Sequence, residues 1–113
     1  MLTQDQLHEV LQRMVNLYRT VYGADIMHIV LYGSYARHDN DDESDLDLAA
    51  IVRGDRKNLQ KKLYALWDMT DEINLEYGII ISPTVIPYDE FITYQQILPY
   101  YRAIKEEGVE IGA

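Results

Sequence analysis

The chain has 113 residues, 48% hydrophobic and 26% charged, which suits one domain over residues 1–113 with its own core and excludes a disordered tail. It contains no cysteine, so disulfides, thiolate zinc sites and thiol nucleophiles are excluded together and any chemistry is oxygen-based. Its net charge of -9, from 19 acidic and 10 basic residues, repels long nucleic acid, although a small anion can still bind where a divalent cation is recruited first.

In chain order, Leu7, Val10, Leu11, Met14, Val15, Leu17, Tyr18 and Val21 keep helical spacing and predict a first helix, with Thr3 or Asp5 as its cap. Gly23-Ala24-Asp25 interrupts that pattern, and Ile26 to Tyr32 reads as a short buried strand rich in branched and aromatic residues. His28 within it is expected to be a core residue with its polar atoms satisfied. Ser34 to Arg37 supplies a helical turn, and His38 to Ser44 is a polar, acidic loop. Asp45-Leu46-Asp47-Leu48 alternates with period two, starting a second strand with both carboxylates on one face.

From Asp55 to about Tyr77 the apolar positions Leu59, Leu63, Leu66, Ile73 and Tyr77 step by helical intervals, and Gly78 is the stop. Arg53, Arg56, Lys57, Lys61 and Lys62 cluster where this helix begins, and a solvated helix face accounts for them. Ile79 to Ile86, with Pro83 inside, reads as an edge or bulged third strand. Asp89 to about Glu107, interrupted by Pro99, reads as two short helices. The expected fold is therefore α/β (α+β), a small mixed sheet of at least three strands with helices packed against it. No apolar run reaches the length of a membrane helix and the N-terminus lacks the layout of a signal peptide, so cytoplasmic placement is expected. Tyr94, Tyr100 and Tyr101 fall where a small domain has little core left, which suggests a partner surface. A homo-oligomer is equally compatible with so modest a core.

The stretch from Gly33 to Leu48 carries the chemistry. A glycine ending a buried strand lets backbone approach a phosphate, and Ser34 opening a helical turn adds a hydroxyl beside free N–H donors. Magnesium takes one or two protein carboxylates plus phosphate oxygens, a need met by Asp45 and Asp47, while Arg37 can clamp remaining phosphate charge. The alternating acids Asp39, Asp41, Glu43, Asp45 and Asp47 do not make an EF-hand, because Ser44 and Ala50 stand where its glycine and glutamate belong.

This stretch resembles the signature of the minimal nucleotidyltransferases, a branch of the DNA polymerase beta superfamily: Gly-Ser-x-Ala-Arg-Gly, a fixed gap, then Ser-Asp-x-Asp-Leu. Gly33, Ser34, Ala36, Arg37, Ser44, Asp45, Asp47 and Leu48 match it with the spacing kept. The resemblance implies a nucleotidyltransferase that uses Mg2+ to move a nucleoside monophosphate from a triphosphate, ATP favoured, to an acceptor hydroxyl. Asp45 and Asp47 would be catalytic and hold the metal, and Gly33, Ser34, Arg37 and Ser44 would bind the nucleotide. It further implies a HEPN-type helical partner protein, as in toxin–antitoxin pairs where the nucleotidyltransferase is the antitoxin.

Two departures stand out. His38 occupies the last glycine of the first motif, and the family's third carboxylate, on the next core strand, has no counterpart, because residues 79–88 contain no Asp or Glu. Ser82 or Thr84 would take its place, with Asp89 or Glu90 beyond Pro87 as substitutes only if the chain folds back. The alternative reading is a degenerate nucleotide- or partner-binding module without turnover.

Overall fold

The computed structural model describes residues 2–113. Helix α1 (Gln4–Tyr22) begins at Thr3, whose hydroxyl accepts the Gln6 N–H at 3.1 Å while the Gln6 side chain accepts the Thr3 N–H at 2.9 Å. This reciprocal pair satisfies two N–H groups that the helix leaves open. After a short 3-10 turn (Gly23–Asp25) come β1 (Ile26–Tyr32), the one-turn helix α2 (Ser34–Arg37) and β2 (Leu46–Val52). Helix α3 (Arg56–Tyr77) starts at Asp55, whose carboxylate accepts the Asn58 N–H at 3.2 Å, and stops at left-handed Gly78. Strand β3 (Ile81–Pro87), helices α4 (Tyr88–Tyr94) and α5 (Pro99–Glu107), and strand β4 (Val109–Gly112) complete the chain.

The four strands of the described residues form one mixed sheet in the order β3-β2-β1-β4. Strand β1 is antiparallel to both β2 and β4, and β2 is parallel to β3 across the α3 crossover. Period-two alternation divides the side chains between two faces. Ile29, Leu31, Leu48, Ala50, Val52 and Val85 turn to one face and pack with Val10, Met14 and Tyr18 of α1 and Leu59, Leu63, Leu66 and Ile73 of α3. Val30, Ala49, Ile51 and Ile86 turn to the other, where α4 and α5 bring Phe91, Tyr101 and Ile104. Tyr32, at the sheet end that also holds Asp47 and Ser82, packs against the margin of this smaller cluster. Among the described residues, no helix is long and apolar enough to cross a membrane.

Three local expectations are corrected. The third strand starts at Ile81, not Ile79, because the Ile79 N–H bonds to the Asn74 carbonyl at 3.2 Å and so still belongs to the end of α3. A fourth strand exists where only a helical tail is expected. Gly108 makes it feasible, since a Cβ there would lie 2.2 Å from the Ile104 carbonyl oxygen and 2.4 Å from Val30. His28 is exposed rather than core: the β1–β2 register slips between Ile26 and His28, and the imidazole pairs with Glu110 of β4.

Pro83 sits on an edge strand, as its missing N–H requires. The rim of that strand is closed by side chains, the Trp67 indole N–H donating to the Pro83 carbonyl at 2.9 Å and the Asn74 side-chain oxygen accepting the Ile81 N–H at 3.0 Å.

Candidate active site

Asp47 lies on β2 between Tyr32 of β1 and Ser82 of β3 in direct register. The chain leaves β1 at Gly33, whose φ of +76° is accessible to glycine at little cost. A Cβ at that position would lie 2.3 Å from the Asp47 Oδ2, so the carboxylate packs directly on the glycine backbone. The strand-end glycine thus also gives the aspartate its place. The Asp47 carboxyl is pushed above the usual carboxylate range, first by burial and then by the charge of Asp45, with Arg37 acting in the opposite sense. Both carboxylates and Arg37 therefore share one electrostatic neighbourhood. Asp45 stands one residue before β2 and lines a cleft of about 440 Å³ with Ser44, Tyr35 and Tyr77.

Helix α2 is a single turn in which the Arg37 N–H reaches back to the Gly33 carbonyl at 3.1 Å, and Ser34 is its first residue. His38 ends the turn in the left-handed region, φ 63° and ψ 29°, which explains why glycine suits that position in the motif. Arg37 is held by Asp39 (Nε to Oδ2, 3.1 Å) and by Glu107 at the end of α5 (3.1 Å). Ser44 faces its own loop: its hydroxyl accepts the Asp41 N–H at 2.9 Å and donates to the Asp41 Oδ1 at 3.2 Å. The hydroxyl thus fixes the loop that delivers Asp45.

Ser82 holds the third corner beside Asp47, with Thr84 one step further along the same strand face. Glu90 does not substitute. It pairs with Arg56 and accepts the Tyr101 hydroxyl at 3.1 Å, near the end of the sheet where Val52 pairs Pro87, roughly 16 Å of strand away from Asp47. Asp89 follows the same strand end and is exposed. The basic cluster entering α3 is exposed at that far end too. Among the described residues, no group of three or more His, Cys, Asp or Glu side chains is placed to hold a metal ion.

The donor set nevertheless fits a divalent cation. Asp45 and Asp47 offer hard oxygen ligands two residues apart, and Arg37, already shared between two other carboxylates, opposes the charge of Asp45 at Asp47 without cancelling the upward shift.

Two aromatic residues that sequence reasoning did not assign to the site also lie here. The Tyr32 hydroxyl is 2.9 Å from the Tyr100 hydroxyl of α5, with the rings edge to face at 5.8 Å. Tyr32 also borders a cleft of about 370 Å³ with Ser82, Thr84 and Trp67. The only sequence signal was its position beside Gly33; the meeting with Tyr100 spans 68 residues and depends on how α5 docks.

A mixed sheet that seats one of two paired aspartates against a strand-end glycine agrees with the class to which the family match assigns this chain, the nucleotidyltransferases. The chain belongs to the family described as polymerase beta, nucleotidyltransferase, whose profile matches residues 6–105. Three proteins of Methanocaldococcus jannaschii, each provisionally named a protein adenylyltransferase, are similar to it. One is 28% identical over 88% of this chain and 92% of its own length, a second 31% identical over 74% and 56%, and a third 29% identical over 71% and 79%. Solved structures share the fold. A toxin–antitoxin structure with AMP-PNP aligns at a TM-score of 0.53 and 14% identity over 99% of this chain and 75% of the solved one. A double Asp-to-Glu variant of the toxin–antitoxin MntA-HpeT aligns at a TM-score of 0.57 and 13% identity over 91% and 73%.

Proposed function

We propose that this chain transfers AMP from ATP to a hydroxyl on a protein acceptor, with magnesium held by Asp45 and Asp47. The observation that carries the reading is the packing of the Asp47 carboxylate on the Gly33 backbone with the Asp45 charge beside it, inside a matched nucleotidyltransferase domain. The provisional names of the relatives favour a protein acceptor and AMP as the group moved. The toxin–antitoxin neighbours favour a partner protein that brings the acceptor, and the resemblance of the Gly33–Leu48 stretch to the minimal nucleotidyltransferases makes a helical HEPN-type protein the candidate.

In this reading Gly33 and the N–H groups opening α2 bind triphosphate oxygens, with the Ser34 hydroxyl beside them. Arg37 turns from Glu107 to the phosphates, exchanging one anionic partner for another. Ser44 keeps the loop closed so that Asp45 stays near Asp47. When bound, magnesium neutralises phosphate charge and orients the triphosphate. The Ser82 and Thr84 side of Asp47 receives the acceptor hydroxyl. With serine in place of a carboxylate no strong base is built in there, so turnover is slow.

The test is pyrophosphate release from ATP and magnesium in the presence of a HEPN-type protein, with that protein weighed intact. The expected result is one AMP adduct on the partner, lost in the Asp45→Asn, Asp47→Asn double variant. Ser82 at the third corner also favours a second reading, a module that binds nucleotide without turnover. Nucleotide binding with neither pyrophosphate nor adduct would decide for that reading.

A further inference from the structure

Helix α5 lies along the rim of the site and touches it at both ends, through Tyr100 on Tyr32 and Glu107 on Arg37. Tyr32 extends from the strand position opposite Asp47 and borders the cleft that holds Ser82 and Thr84, on the side assigned above to the acceptor. The charge of Asp47 is felt at the Tyr32 hydroxyl, which bonds to the Tyr100 hydroxyl. Of this pair Tyr32 is half-buried in the sheet, whereas Tyr100 is 45% exposed. Tyr101, next in sequence, is buried, with its hydroxyl taken by Arg56 and Glu90. A phenol on an accessible helix is thus held at the acceptor side of the two aspartates by one hydroxyl–hydroxyl bond and an edge-to-face ring contact.

We infer that Tyr100 is a self-modification site: the chain transfers AMP to its own Tyr100 hydroxyl, an inference that rests on the nucleotidyltransferase reading above. The Tyr100 Oη attacks the α-phosphorus of ATP and forms an O–P bond. The bond from that phosphorus to the oxygen bridging to the β-phosphorus breaks, pyrophosphate leaves with the electron pair, and the phenol proton passes to solvent. No oxidant, reductant or further reactant is needed. Because the acceptor and the aspartates belong to one chain, the reaction is first order in protein. The product carries its nucleotide on α5, at the end of the helix that meets Tyr32, where it blocks the acceptor side against a protein partner.

The experiment incubates the full chain with ATP and magnesium, without any partner protein, and follows intact mass and fragment mapping, with calorimetric ATP binding measured in parallel. The expected result is one AMP per chain on Tyr100, absent from Tyr100→Phe and from the Asp45→Asn, Asp47→Asn variant, at a fractional rate independent of protein concentration. Tyr100→Phe keeps the ring packed on Tyr32, and circular dichroism and retained ATP binding confirm that it is folded. Wild-type chain that binds ATP yet forms no adduct overturns this inference and leaves the nucleotidyltransferase reading standing. An adduct on another residue, or a rate that climbs with protein concentration, overturns it as well. Loss of ATP binding in the wild type overturns both.

Discussion

Single side chains at the site trade stability for position. Gly33 combines a φ of +76° with a carboxylate oxygen in the space a methyl group would fill. Gly33→Ala is therefore expected to displace Asp47, abolish ATP–magnesium binding by calorimetry and destabilise the chain by about 1–3 kcal/mol in chemical denaturation. His38 carries the opposite signature, a side chain where the backbone wants glycine: His38→Gly should stabilise by about 1 kcal/mol. Asp47 is a carboxylate whose folded pKa is raised by burial and by Asp45. The folded state then holds more protons than the unfolded one in the window between the ordinary carboxylate value, about 4, and the raised one, so the cost of this group is absent below that window and fully present above it. Asp47→Asn should accordingly be more stable than the wild type at neutral pH, with the advantage vanishing towards pH 4 in paired denaturation curves, while nucleotide binding is lost.

At the scale of elements, the local patterns were legible and the long-range ones were not. Helix α3 was readable from Leu59, Leu63, Leu66 and Ile73 because burying one helical face fixes a spacing within the segment itself, and Gly78 closes it with φ +65°. The signature from Gly33 to Leu48 was equally visible, since a strand end, one helical turn and a loop lie consecutively in the chain. Strand β4 was not, because four residues after a helix carry too little alternation to be told from an extended tail; only pairing with β1 defines it. The exposure of His28 was hidden for a related reason, a register slip that no composition reveals. The third corner was half legible: the missing acid showed in the sequence, but choosing Ser82 over Thr84 as the neighbour of Asp47 needed the β2–β3 register. That register also predicts that Glu90→Gln leaves ATP binding unchanged, because Glu90 serves the Arg56–Tyr101 contact at the far end of the sheet. The pair is partly solvated, so the change should cost no more than about 1 kcal/mol in denaturation. Loss of nucleotide binding in that variant would mean that the chain folds back towards Asp47 after all.

Over the whole molecule, the sheet separates structure from chemistry. One face is covered by α1 and α3 and holds the larger cluster, and the other is covered by α4 and α5, which hold the smaller cluster and reach the Asp47 end of the sheet through Tyr100 on Tyr32. A chain with net charge -9 has no general attraction for a polyanion, so its affinity for ATP must come from a few groups and the cation they recruit. Glu107 tempers even that, since it occupies Arg37. Glu107→Gln should tighten ATP–magnesium binding by up to about fivefold, which corresponds to the weak worth of a solvated ion pair. The most direct test of the central claim is calorimetric titration of ATP with magnesium into the wild type and into the folded Asp45→Asn, Asp47→Asn variant. Saturable binding by the wild type that disappears from the variant is the predicted result, and a wild type that binds no ATP, or a variant that binds it equally well, would contradict the account.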